Sequence, residues 1–304
     1  MRSIRPFTLA LAGALTLGTL TGCAAPAAGR PLIVVTTNIL GDVVQNLVGE
    51  QAEVLTLMRP NSDPHSFEIS AQEAARILRA DLIVSNGLGL EEGLQQQLDA
   101  ADAAGVPMLA AGTVIDPLPY AAGSDTADPH FWTDPARMIE VVEAVAAAVQ
   151  ADVAGADAAA IEAQAAAYAT ELRALDAEMT TAFAAIGAEH RNLVTNHHVF
   201  GYLADRFDFT VVGAVIPGGS TLAAPSASDL QSLVDAIDAA GVTTIFAESS
   251  QPDRLVQVLA DEAGLEVAVV ELFTESLSEP GAGADSYLTM MRTNTQRIAT
   301  GLSP

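Results

Sequence analysis

The chain has 304 residues, half of them hydrophobic, so it can bury one large core or two ordinary ones and is not a disordered polypeptide. It carries 13 basic and 38 acidic residues, a formal net charge of −25, and every basic residue is an arginine. Such acidity argues against a nucleic-acid partner, whose phosphates it would repel. It is compatible with a cationic ligand but does not by itself indicate one.

The N-terminus has the pattern of a secretory signal. Arg2 and Arg5 precede an uncharged apolar stretch over residues 6–20, and small residues follow it. The alternative is a buried first helix. No other apolar run approaches the roughly 20 residues that cross a bilayer. We therefore predict a signal peptide at residues 1–22 and an extracytoplasmic mature chain.

The only cysteine, Cys23, ends the run Leu-Thr-Gly-Cys, which resembles a bacterial lipobox. That resemblance implies cleavage before Cys23 and attachment of lipid to its sulfur. A single cysteine cannot form an internal disulfide, so a thioether anchor gives it a role in an exported chain. We expect residues 23–30 to be a lipidated tether that holds the protein to the cell membrane.

The body of the chain alternates short apolar runs with amphipathic segments. The runs are rich in valine, isoleucine and leucine, as in strands buried on both faces. Predicted strands lie at 32–36, 54–58, 82–85, 107–110, 193–195, 210–215, 244–247 and 267–272. Predicted helices between them include 39–48, 71–78, 228–240 and 254–263. The alternation indicates an α/β fold with mostly parallel sheets flanked by helices.

The middle of the chain is helical in pattern. Pro135 fits the first position of a helix that reaches about residue 153. The alanine-rich segment 158–186 has apolar residues mostly at three- and four-residue steps, which favours a packed helix over a disordered linker. As a helix it would span roughly 40 Å. We predict an N-terminal lobe at 31–153, a connecting helix at 154–188 and a C-terminal lobe at 189–304.

Histidine is scarce, and most of the five histidines lie beside predicted strand or helix ends: His65, His130, His190, His197 and His198. Asp-Pro precedes both His65 and His130, and proline stiffens such loops. His197 follows a strand, as do Glu248 and Glu275. Ligands of open α/β sheets bind at the carboxyl ends of strands, so these groups could converge in one cleft.

Imidazole and carboxylate groups suit zinc and other borderline cations. Three histidines and one carboxylate would complete a four-coordinate site. Taken singly, a loop histidine is more often solvated or hydrogen-bonded than a ligand. His190, at the end of the long helical segment, is expected to face water.

Several motifs together resemble one family, the zinc and manganese binders among the solute-binding proteins of ABC transporters. The motifs are Asp63-Pro64-His65 with Glu68, the run 128–135 (Asp-Pro-His-Phe-Trp-Thr-Asp-Pro), the run 194–202 around His197, the run 272–277 around Glu275, and the segments 284–287 and 290–294. The resemblance covers nearly the whole mature chain. It implies two α/β lobes joined by one long helix, with the metal site in the cleft between them.

The resemblance also implies the ligands. The family's three nitrogen positions correspond to His65, His130 and His197, and a histidine at the third favours zinc over manganese, which remains the alternative metal. The fourth ligand is usually aspartate, and here that position holds Glu275, one methylene longer.

Three acidic or imidazole groups are expected beside the ligands rather than on the metal. His198 stands where aspartate is common, and adjacent residues after a strand point to opposite sides, which favours His197 as the ligand. Glu68 and Glu248 are placed around the site. Glu248 either orients a ligand histidine or caps a helix. The loop 118–128 lacks the histidines of an accessory capture loop, so loading by a metallochaperone is conceivable.

The resulting functional prediction is a monomeric, non-enzymatic protein that captures zinc and delivers it to an ABC permease in the membrane. Two other classes stay open. A zinc hydrolase could use Glu248 as general base, although the chain has no His-Glu-x-x-His segment. A surface adhesion protein is the third possibility, without support from repeats or aromatic runs.

Overall fold

The computed structural model describes residues 29–120, 124–216, 220–250, 256–257, 260 and 267–303. The predicted signal peptide, Cys23 and most of the tether lie outside the described residues, and so does most of the predicted helix 254–263. Among the helices that are described, none combines the length and the apolarity needed to cross a membrane.

The first half of the chain forms a four-stranded parallel sheet. Its strands are β1 (Leu32–Val35), β2 (Glu53–Thr56), β3 (Leu82–Ser85) and β4 (Met108–Ala110), in the order β2-β1-β3-β4. The helices that connect them are α1 (Asn38–Val48), α2 (Ala71–Ile77) and α3 (Gln95–Ala103). Parallel neighbours need such crossovers, because a tight hairpin can join only antiparallel strands.

The second half repeats this architecture with a different sequence. Its strands are β5 (Asn192–Thr195), β6 (Thr210–Ala214), β7 (Thr244–Glu248) and β8 (Ala268–Leu272), in the parallel order β6-β5-β7-β8. Its described helices are α6 (Gly201–Phe207), α7 (Ala227–Ala240) and α8 (Tyr287–Gly301). The predicted α/β class with two parallel-sheet lobes is confirmed.

Two long helices lie between the sheets in the chain, α4 (Pro135–Asp152) and α5 (Ala158–Ala184). The carboxylates of Asp134 and Asp157 accept hydrogen bonds from backbone N–H groups of the first turns, and so satisfy donors that a helix start leaves open. Helix α5 packs against α4, α1 and α8. It therefore touches helices of both halves, as the predicted connecting helix should.

The two sheets share one hydrophobic core. In β1, Ile33 and Val35 point into a cluster that runs through α4 and α5 to α8, whereas Val34 points into a smaller cluster of the first lobe. A third cluster covers the outer face of the second sheet. Alternate strand residues thus face the shared core and the outer helices. The shared core limits how far the lobes can move apart.

Candidate metal centre

Four side chains from both lobes meet in one buried cluster, which we call the four-donor cluster: His65, His130, His197 and Glu275. Each lies in a loop: after β2, before α4, after β5 and after β8 respectively. Their relative exposures are 0–1 %. One potential ligand atom from each lies within 4.8 Å of the others. The structure thus brings together the four residues that the sequence singled out.

The three imidazoles surround one carboxylate oxygen. Glu275 Oε1 lies 3.1 Å from Nε2 of His65 and 3.2 Å from Nε2 of both His130 and His197. Donors on a tetrahedral zinc with bonds of 2.0–2.1 Å would be about 3.3 Å apart. Glu275 Oε2 is buried without a hydrogen-bond partner. The glutamate therefore reaches the histidines despite its extra methylene, and one further oxygen is available to a cation.

Carboxylates lie behind two of the three histidines. Asp128 Oδ1 is 2.7 Å from His130 Nδ1, and Glu248 Oε1 is 2.9 Å from His197 Nδ1. The hydroxyl of Thr274 donates to Glu248 Oε1 at 2.8 Å and holds it in place. A carboxylate on Nδ1 keeps that nitrogen protonated and leaves the Nε2 lone pair for a metal. Glu248 thus lies against Nδ1 of His197, where an orienting carboxylate would be expected.

The repeated Asp-Pro-His segment builds the same local turn twice. The Asp63 carboxylate accepts the backbone N–H of His65 at 2.9 Å, and the Asp128 carboxylate accepts that of His130 at 2.9 Å. An aspartate that bonds the backbone two residues later forms an Asx-turn. With proline between, the turn holds the histidine backbone in one conformation.

Glu68 does not lie beside the four-donor cluster. Its side chain is exposed and lines a surface pocket with Arg59 and Glu73. The loop after His65 is not helical, so a spacing of three residues does not return Glu68 to the same face. Glu92, the first residue of a short 3-10 helix (Glu92–Leu94), comes nearer, with Oε1 3.9 Å from His65 Nδ1.

Side chains of the first lobe hold the loop that carries Glu275 in place. The indole N–H of Trp132 donates to the Thr274 carbonyl at 2.8 Å. On the other side of Glu275, Asn38 donates to the Ser276 hydroxyl at 2.8 Å and accepts from the Leu277 N–H at 2.9 Å. Glu275 belongs to the second half of the chain but is positioned by side chains of the first.

Burial and charge act against each other in the cluster. Burial raises the pKa of Glu275, but His197, His130 and His65 outweigh it and hold that pKa well below its usual range. Burial likewise opposes protonation of His197, yet Glu275 and Glu248 raise its pKa well above 6.5. Without a metal, protons take the place of the cation and compensate the buried carboxylates.

His198 lies outside the four-donor cluster. Its side chain is 24 % exposed, with Nε2 3.9 Å from the second oxygen of Asp128. Burial lowers its pKa, against the influence of Asp128. His190, which the sequence places in water, is exposed beside Glu189. Asp128 and Asn38 had not been assigned a role from the sequence, although an aspartate two residues before His65 and before His130 was a visible signal.

A two-lobed α/β protein with three buried histidines and a carboxylate between its sheets belongs to a class that could hold a single divalent cation. Comparison with known sequences specifies the family. A family model described as zinc-uptake complex component A, periplasmic, matches residues 33–301. The chain belongs to this family.

Individual relatives differ in the metal that their names give. Zinc-binding protein TroA of Treponema pallidum is 30% identical over 300 residues, 95% of this chain and 96% of its own. Its solved structure covers 91% of this chain and 100% of its own with a TM-score of 0.83. Manganese-binding lipoprotein MntA of Halalkalibacterium halodurans is 28% identical and covers 90% of both chains. The manganese ABC transporter substrate-binding lipoprotein PsaA of Streptococcus pneumoniae is 29% identical and covers 97% of both. The chain is a solute-binding component of a metal ABC importer.

Proposed function

We propose that the four-donor cluster binds one divalent cation as cargo, zinc in preference to manganese, and that the protein delivers it to an ABC permease. The observation that carries this proposal is the convergence of three Nε2 atoms on Glu275 Oε1 at 3.1–3.2 Å in a buried site. Buried imidazoles and a carboxylate with a free oxygen are costly unless something pairs with them. A cation supplies that partner.

The choice of zinc rests on the donor types. Three neutral imidazoles with one carboxylate suit a borderline cation, whereas manganese favours sites richer in oxygen. Glu275 offers a second oxygen, and the named relatives include both zinc and manganese binders. Manganese is therefore the outcome against which the proposal is tested.

The location follows from the same proposal. The names of MntA and PsaA call them lipoproteins, which supports a lipid on Cys23 and a position outside the cytoplasm. The lobe boundaries at residues 153 and 189 and the monomeric state belong to this proposal as well. Since the lobes share a core, we expect release to involve the ligand loops more than a wide opening.

A hydrolase is disfavoured by the position of Glu248. Its Oε1 faces Nδ1 of His197, on the side of the ring opposite to the nitrogen that approaches Glu275. A general base must instead lie beside the open, water-bearing position of the metal. Four convergent protein donors also leave a tetrahedral zinc no such position.

Elemental analysis tests the proposal directly. The mature chain without its lipid-bearing cysteine, residues 24–304, is equilibrated with zinc, manganese, iron and copper together and then freed of loose metal. It is analysed beside His65→Ala, His130→Ala, His197→Ala and Glu275→Ala. We expect one zinc per wild-type chain and less in each variant. One manganese would change the substrate within the family. A wild-type chain without stoichiometric metal would overturn the proposal.

A further inference from the structure

The four-donor cluster is closed to solvent. All four side chains have exposures of 0–1 %, so a hydrated cation cannot contact a donor from the surface directly. His198, next in the chain to His197, is different, because 24 % of its side chain is exposed. It offers a nitrogen ligand where the surface and the buried groups meet.

Asp128 connects this ring to the cluster. Its Oδ1 accepts from both the backbone N–H and Nδ1 of His130, at 2.9 and 2.7 Å. Its Oδ2 is buried, has no hydrogen-bond partner and lies 3.9 Å from His198 Nε2. Asp128 itself is only 1 % exposed. A buried carboxylate oxygen normally has a hydrogen-bond or metal partner. Asp128 Oδ2 lacks one, and the facing imidazole nitrogen of His198 is too far away for a hydrogen bond.

The gap depends on a glycine. A Cβ on Gly201 would lie 2.4 Å from Asp128 Oδ2 and 3.2 Å from His198 Nε2, so any larger residue would press on both atoms and crowd the space beside them. Tyr120 fixes the other side of His198. The two rings pack edge to face with centroids 4.7 Å apart, and the Tyr120 hydroxyl bonds the His198 backbone. The His198 ring is thus held with Nε2 3.9 Å from Asp128 Oδ2.

We propose that His198 Nε2 and Asp128 Oδ2 form an outer site for a borderline divalent cation, through which the ion reaches the four-donor cluster. The inference rests on the proposed function and adds a route to it. Nitrogen and oxygen donors on one tetrahedral zinc lie about 3.3–3.4 Å apart. A rotation of the partly exposed His198 ring that shortens the 3.9 Å gap by about half an ångström therefore lets one ion bind both atoms, with water as its other ligands. Because the same carboxylate orients His130, an ion on Asp128 lies one ring away from the cluster.

The test follows metal binding by the mature chain with Zn²⁺ and with Co²⁺, whose absorption reports its ligands. For the wild type we expect one tight equivalent, then a second, weaker one. His198→Gln removes the outer nitrogen, and Gly201→Ala fills the gap. In both, the second equivalent should disappear, and stopped-flow uptake of the first should slow by about tenfold, the scale on which groups next to a metal matter.

The matched control is His190→Gln, the same change at an exposed histidine beside Glu189, which should behave as wild type. A wild type that takes up no first equivalent would sink the proposed function. The other outcome is that wild type and His198→Gln both bind a tight first equivalent at the same rate and both bind a second equivalent. That result would overturn only the outer site. His198→Gln changes a partly exposed side chain, so it keeps the test decisive if Gly201→Ala is poorly folded.

Discussion

At the residue scale, the arrangement around each histidine decides which nitrogen is free. Asp128 and Glu248 hold the Nδ1 side of His130 and His197, and the Nε2 atoms turn towards Glu275. Glu248 and Glu68, which the sequence analysis placed around the site, lie in different environments. Glu248 is buried against His197, and Glu68 is exposed.

This difference predicts unequal effects of the same substitution. Glu248→Gln should weaken zinc binding about 10- to 100-fold, because an amide orients the His197 ring less well than a carboxylate. Glu68→Gln should leave the affinity unchanged. Competition titration against a zinc-binding dye measures both. Equal affinities in the two variants would show that Glu248 does not orient His197.

The protonation of the cluster predicts a pH optimum for the metal-free protein. The raised pKa of His197 contributes stability that is complete below about pH 6.5 and is lost as the pH rises through the folded value. The lowered pKa of Glu275 contributes stability that is complete above about pH 4.5 and is lost as the pH falls through the folded value. With chelator present, Tm should therefore be highest between pH 4.5 and 6.5.

The control for this pH profile is His197→Gln, which cannot gain the proton. Its Tm should fall less steeply above pH 6.5 than that of the wild type. Parallel profiles in wild type and variant would contradict the assignment, because the general repulsion of an acidic chain acts on both.

At the scale of elements, the position of Glu275 depends on a helix start. Asn38 is the first residue of α1, and its side chain bonds the Arg59 carbonyl as well as Ser276 and Leu277. Together with the Trp132 indole, it ties the segment around Glu275 to the first lobe. The loop after β8 is thus positioned across the cleft and not by its own sheet alone.

Asn38→Ala should lower the free energy of unfolding by about 1–3 kcal/mol, because the Leu277 N–H loses its buried acceptor. It should also weaken zinc binding, since Glu275 is then held from one side only. Asn46→Ala, on the exposed face of the same helix, is the control and should cost little. Urea unfolding and zinc competition measure the two effects. Unchanged zinc affinity in a destabilised Asn38→Ala would limit Asn38 to a structural role.

At the scale of the whole molecule, the two sheets are joined through α5. Its buried stripe contributes to the core that includes residues of β1, α4 and α8. Such a core couples the lobes mechanically. We expect them to unfold together rather than one after the other.

Leu172→Ala, at a fully buried position of α5, should cost about 2–5 kcal/mol and leave a single unfolding transition. Thr170→Ala, two residues earlier and exposed, should be nearly neutral. Calorimetry with chelator present distinguishes the cases. Two separate transitions in Leu172→Ala would show that the lobes are independent folding units.

Much of the fold could be predicted from local pattern. Apolar runs such as β3 (Leu82–Ser85) and the capped starts of α4 and α5 are defined by neighbouring residues, whose periodicity the sequence displays. The parallel sheets followed from the alternation of strands and helices. Strand ends moved by one or two residues, as at β2 (Glu53–Thr56), because hydrogen bonds with β1 set the register there.

The sequence by itself determined which residue types were available: three histidines in stiff or strand-end loops and a glutamate after the last strand, at the ends where parallel sheets place ligands. Only the tertiary structure decided their partners. Three features depend on how segments distant in the chain pack together: the contact of Glu248 with His197, the bonds of Asn38 beside Glu275, and the gap between Asp128 and His198 next to Gly201. Local pattern carries no such distances, because packing of the two sheets around a shared core sets them.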